Sequence, residues 1–200
     1  MVVWDAMSVV HLPAASLESL VAHRRRTGTG RLDECWEGVW HLTDPTARHQ
    51  QIAGRLYRIH SELIEDAGRG TSWISINVTD REENWIENHR CPDGAVILNE
   101  NAGRWLDPGR AAFLGGPDLV LEVSSQDEEP YAKFPFYGRV GVREVLIVDQ
   151  VSGRPELWRW GGEDYREAAP GKSFVTGLEY ALEAGCLEVR DASSGRTWRI

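Results

Sequence analysis

The chain has 200 residues, 42% of them hydrophobic and 26% charged, with nine tryptophans and a formal net charge of −9. This length and composition suit one globular domain, residues 1–200, able to bury a sizeable core, and exclude a disordered chain. The acidity argues against broad affinity for nucleic acid, which rests on lysine and arginine neutralising phosphates, yet it leaves room for a local basic cleft.

The first sixteen residues, MVVWDAMSVVHLPAAS, lack a basic segment and carry Asp5, so no secretory leader is read. No run approaches the roughly 20 apolar residues needed to span a bilayer. Cys35, Cys91 and Cys186 are far apart and form no CxxC pair, which speaks against zinc and predicts a reduced, cytoplasmic setting.

In chain order, SLESLVAHRRRTG (16–28) predicts a short helix with Ser16 as N-cap. Its basic trio Arg24, Arg25 and Arg26 reads as a solvated helix end, with a phosphate contact as the lesser alternative. CWEGVWHL (35–42) suggests a hairpin turning at Gly38. In DPTARHQQIAGRLYRIHSELIEDAG (44–68), Ile52, Leu56, Ile59 and Leu63 mark the buried stripe of a second helix, with Pro45 near its start and Gly68 at its end.

Three strands are expected next: TSWISINV (71–78), CPDGAVIL (91–98) and PDLVLEV (117–123). EEPYAKFPFYGRVGV (128–142) has helical spacing broken by Pro135, hence a short or kinked helix. REVLIVD (143–149) and PELWRW (155–160) read as strands joined through SGR. Trp158 and Trp160, on one face of the second, read as core packing, with a homodimer surface as the alternative. The tail carries GLEYALEAG, read as a short helix or turn, and the strand-like CLEVRD and RTWRI. Helix, strands, helix, strands predicts one α/β domain with a mixed sheet.

Two strands open on Pro-Asp, and the second carries Glu122 within an apolar run. Asp118 and Glu122 lie on one face but about 13 Å apart along an extended strand, too far to share one ion. A partner for Glu122 must come from a neighbouring strand, and Asp93 is the best placed acid. A carboxylate inside LVLEV must be paired, protonated or metal-bound. The chain has no GxxxxGK[ST] loop, no strand-GxGxxG-helix unit and no nucleophile elbow around Ser124 and Ser125. His89 and Cys91 beside Asp93 read as structural rather than zinc-binding.

The run from Glu34 to Val148 resembles the large bacterial Uma-two family of restriction endonuclease-like proteins, within the PD-(D/E)XK nuclease superfamily. The resemblance rests on ECWEG, PTARHQQIAGRL, RCPDGAVI, PDLVLEVSS and KFPFYGRVGVREVLIVD, in that order. It implies a restriction-endonuclease-like mixed β-sheet core flanked by helices, and Mg2+-dependent hydrolysis of DNA phosphodiester bonds, with Mn2+ as a substitute ion. It implies Asp93 and Glu122 as metal ligands, Glu34 as a completing or supporting acid, and Lys133 as the catalytic lysine. Ser124 stands where the superfamily usually places that lysine. Two alternatives remain: a catalytically weakened relative acting as a binding or assembly module, favoured by Pro130 and Pro135 flanking Lys133, and a metal-dependent hydrolase or binder of a small phosphate. A nuclease predicts a positive groove beside the acids, drawn from Arg24, Arg25, Arg26, Arg55, Arg58, Arg90 or Arg139.

Overall fold

A computed structural model describes residues 14–106, 112–124, 130–169 and 171–200. Helix α1 (Ala14–Thr27) leads into the hairpin β1 (Glu34–Trp36) and β2 (Val39–His41), then α2 (Ala47–Ile64). Strands β3 (Gly70–Ile74), β4 (Val78–Thr79), β5 (His89–Arg90), β6 (Gly94–Leu98), β7 (Phe113–Leu114) and β8 (Leu119–Ser124) follow. A 3-10 turn at Pro130–Lys133 opens α3 (Phe134–Val140). The chain ends in β9 (Glu144–Asp149), β10 (Pro155–Trp160), β11 (Tyr165–Glu167), β12 (Leu178–Glu183), β13 (Cys186–Asp191) and β14 (Thr197–Arg199).

The main sheet is ordered β11-β10-β9-β8-β6-β3, with β8 and β9 parallel and the other pairs antiparallel. Every residue of β8 is buried, as its unbroken apolar run predicts for a strand covered on both faces. Leu121 and Val123 join Ile52, Leu56 and Ile59 of α2 in one core, while Val120 joins Phe136 and Tyr137 of α3 in another. Glu122 is in register with Val120 and so looks toward the α3 side. A smaller sheet, β2-β1-β5-β4-β7, brings β1 and β5 side by side, and β12-β13-β14 forms a third.

The hairpin turn at Glu37 and Gly38 has both residues at positive φ, 49° and 79°, the backbone of a tight two-residue connection. It fixes the pairing Trp36↔Val39, Cys35↔Trp40, Glu34↔His41. Thr46 caps α2, its hydroxyl accepting from the His49 amide. Trp158 and Trp160 pack against the α3-side core, and a Cβ on Gly138 would come within 2.5 Å of the Trp160 ring. Core packing is therefore their role here.

Some expectations change. Helix α1 starts at Ala14, so Ser16 lies inside it rather than capping it. Its basic trio is not simply solvated: Arg24 holds both oxygens of Asp33 at 2.7 Å, and Arg25 stacks on Trp40 at 4.8 Å. In GLEYALEAG, Leu178–Glu183 is strand rather than helix, because Leu178 and Tyr180 are buried in alternation with Glu179, a period of two, and the turn is confined to Ala184 and Gly185. Pro130 and Pro135 fall in the 3-10 turn and the first turn of α3, where a missing N–H removes no helical hydrogen bond. They start the helix instead of distorting it. Ser125 and the first thirteen residues lie outside the described residues.

Candidate active site

Glu34 begins β1, Glu122 sits in β8, Asp93 precedes β6, and Lys133 stands at the start of α3. Lys133 Nζ donates to Glu34 Oε1 at 3.1 Å and to Glu122 Oε2 at 2.8 Å, joining acids 88 positions apart. Glu34 is further held by Arg90 Nη1 on Oε2 and by the Cys91 amide on Oε1, both at 2.9 Å. Tyr137 donates its hydroxyl to Glu122 Oε1. His49 Nε2 donates to Asp93 Oδ1 and the Val123 amide to Asp93 Oδ2, each at 2.7 Å. Asp93 thus rests on the amide that directly follows Glu122.

The electrostatics divide the acids. Burial pushes the Glu122 carboxyl up, and Asp93 and Glu34 reinforce it, while Lys133 opposes; the outcome is about 7. Glu34 feels the same burial, but Lys133, Arg90 and the Cys91 amide outweigh it and hold the carboxyl at about 2. The asymmetry follows from the partners. Glu34 has a second cation of its own, whereas Glu122 shares its lysine and gains only a neutral hydroxyl. Burial, then the Glu122 and Glu34 charges, raise the Tyr137 phenol well above its ordinary range, so it remains a donor.

Among the described residues no three His, Cys, Asp or Glu side chains group as a ready-made metal cage. Asp93 and Glu122 nevertheless offer hard oxygens; each of the four accepts a hydrogen bond from the protein, and a carboxylate oxygen has a second lone pair. Mg2+ is commonly held by one or two carboxylates, with waters and substrate phosphates completing its shell. The donor set fits that ion better than zinc.

Asp118 is elsewhere, as the strand spacing requires. It has no exposed surface and accepts from the Leu98 amide at 2.8 Å, Asn101 Nδ2 at 2.9 Å and Arg143 Nη1 at 3.0 Å. The second Pro-Asp is therefore structural. His89 lies between the carbonyl oxygens of Ile86 and Asp33, and Cys91 is buried, so this cluster is structural as well. Of the expected groove, Arg90 enters the site, Arg24 is held by Asp33, and Arg139 reaches Glu37 and Asp80 at 3.7 Å. Arg55 and Arg58 are on the exposed face of α2.

Tyr137, His49 and Arg90 were not singled out as partners of the acids. Tyr137 follows Lys133 by four residues, which at the opening of a helix places both on one side, so that signal was in the sequence. The joining of Arg90 to Glu34 was not, because β1 and β5 pair through the antiparallel Cys35↔His89 register.

The family model described as “Putative restriction endonuclease”, Uma2, matches residues 27–184. This protein belongs to the Uma2 family. No curated protein sequence matches it. Among solved structures, a “putative nuclease belonging to DUF820” from Anabaena variabilis is similar with a TM-score of 0.56 at 14% identity, over 70% of the Uma2 chain and 78% of that one. At that identity the likeness concerns the fold, which is restriction-endonuclease-like. No helix among the described residues is long and apolar enough to cross a membrane.

Proposed function

We propose that this Uma2 protein is a divalent-metal-dependent nuclease that hydrolyses phosphodiester bonds in DNA. The observation that supports it best is the single lysine, Lys133, bridging Glu34 and Glu122 at 3.1 and 2.8 Å beside Asp93. Structural acids tend to be matched by cations; here three carboxylates share fewer, and Glu122 is left near 7. Asp93 and Glu122 would hold Mg2+ or Mn2+, with His49 orienting Asp93 and Tyr137 orienting Glu122. When bound, the ion supplies Lewis-acid charge to the phosphate. Lys133 contributes a fixed ammonium whose hydrogen bonds orient the attacking water and offset charge developing on phosphate oxygens.

The test is cleavage of supercoiled plasmid by the purified full chain in Mg2+, in Mn2+ and in chelator. Metal-dependent nicking that Glu122→Gln and Asp93→Asn abolish supports the reading. Absence of cleavage with either ion and a range of DNA substrates would remove it. One observation favours a second reading, a binding or assembly module weakened in catalysis: all six oxygens of Glu34, Asp93 and Glu122 already accept protein hydrogen bonds. That reading predicts no rise in melting temperature with excess Mn2+.

A further inference from the structure

We propose that His41 is a catalytic residue of this site, the proton acceptor for the water that attacks the phosphodiester; the proposal rests on the nuclease reading above.

The placement comes from the hairpin. The two-residue turn at Glu37 and Gly38 sets His41 directly opposite Glu34, and residues paired across antiparallel strands present their side chains on the same face. The charged groups facing His41 are those of the site: Glu34 from β1, Arg90 from β5, and Lys133 from the turn before α3. His41 is half-buried, with one side toward solvent, so a water can reach it.

Glu122 is assigned to the metal in the reading above, and the other neighbouring groups are poorly suited to take a proton. Lys133 Nζ donates to two carboxylates, and an ammonium has no acceptor lone pair. Glu34 is bonded by Lys133, Arg90 and the Cys91 amide, and His49 Nε2 is on Asp93. His41 differs from all of them, because no hydrogen bond from a described residue reaches its ring nitrogens. Nearby, Arg90 Nε is fully buried and without an acceptor among the described residues. Burial, with Arg90 and Lys133 adding and Glu34 opposing, lowers the His41 pKa. The ring is therefore neutral near pH 7, with one nitrogen lone pair to offer.

In the step, an O–H bond of water breaks and its proton passes to that nitrogen, while the water oxygen forms a bond to phosphorus. The P–O ester bond breaks with its electron pair on the leaving oxygen, which takes a proton from solvent. His41 then returns its proton to solvent. Diester and water give monoester and alcohol.

The experiment measures kcat and KM for a fluorescently labelled DNA duplex in Mg2+ across pH, for the wild type, His41→Ala and His41→Gln, with melting temperatures alongside. The expected result is a kcat loss of about 100-fold or more, the typical worth of a general base, with KM little changed. The kcat profile should change on its acid side, where one titrating base is lost while Glu122 remains, and added imidazole should restore part of the rate to His41→Ala. Should that variant not fold, His41→Gln decides by the same profile. An active wild type with undiminished variants, or a loss without altered pH profile or imidazole rescue, overturns the role of His41 and leaves the nuclease reading standing. A wild type inactive with both Mg2+ and Mn2+ overturns both.

Discussion

Asp118, the residue just before β8, and Glu122, within it, are buried carboxylates four positions apart on one face, yet they do opposite things. Asp118 accepts from Arg143, Asn101 and the Leu98 amide, and Arg143, which also reaches the exposed Glu100 at 3.4 Å, extends to solvent. Glu122 shares a lysine with Glu34 and has Asp93 nearby, so its charge is poorly matched and its carboxyl rises to about 7. Burial alone therefore does not separate Glu122 from Asp118. The ratio of acids to cations around each does, since uncompensated charge at low dielectric is retained where chemistry needs it.

Four measurements would break or sharpen this contrast. The largest effect is expected from Lys133→Met, which should lower metal-dependent cleavage by about 100-fold or more while leaving Mn2+ affinity nearly intact; undiminished cleavage would take Lys133 out of the mechanism. Next comes Asp118→Asn, which weakens charge-assisted bonds to a buried group and should destabilise the fold by about 1.5–3 kcal/mol. Chemical denaturation reads it directly, and a neutral result would contradict a purely structural role.

The third runs in the opposite direction. Glu122→Gln relieves carboxylate repulsion, so the metal-free protein should gain on the order of 1 kcal/mol while losing metal binding. The pH dependence follows from the same group. Its folded pKa, about 7, exceeds the ordinary 4.5, so the stability it contributes is present below pH 4.5 and is lost as pH rises through 7. Glu34, held at about 2, contributes above its ordinary 4.5 and loses that as pH falls toward 2. In chelator the wild type should melt lower at pH 8 than at pH 5.5, and Glu122→Gln should flatten that difference; an equal slope in both proteins would show that Glu122 does not titrate there. The smallest effect is expected from Tyr137→Phe, which deletes one hydroxyl donor to Glu122 and should cost about 1 kcal/mol by thermal melting. A loss several times larger would make Tyr137 a core determinant rather than a partner of Glu122.

Much of this arrangement was legible before any coordinates. The two Pro-Asp strands, the separation of Asp118 from Glu122, and the choice of Asp93 as the nearer acid all follow from strand rise and side-chain alternation. The hairpin at Gly38 was legible too, but the pairing of Glu34 with His41 needed the register of the strands, and a lone histidine in a short strand carries no motif. The GLEYALEAG segment misled, since Leu178 and Leu182 are four apart and fit a helix as readily as a strand; pairing with β13 decided it. The basic trio of α1 misled in another way, because the acid that holds Arg24 lies nine residues on, in a loop.

What the sequence determined by itself was local: most of the strands, which faces are apolar, where turns must fall, and which acids could never meet. Those properties depend on neighbours a few positions away, and backbone sterics and periodicity settle them. What only the tertiary structure decided was the company each acid keeps. Arg90 meets Glu34 across 56 positions and Lys133 meets it across 99, contacts set by how the small sheet and α3 pack against β8. The charge on Glu122 depends on that company through a Coulomb interaction that falls with distance in space, and distance in space is a property that chain order does not encode.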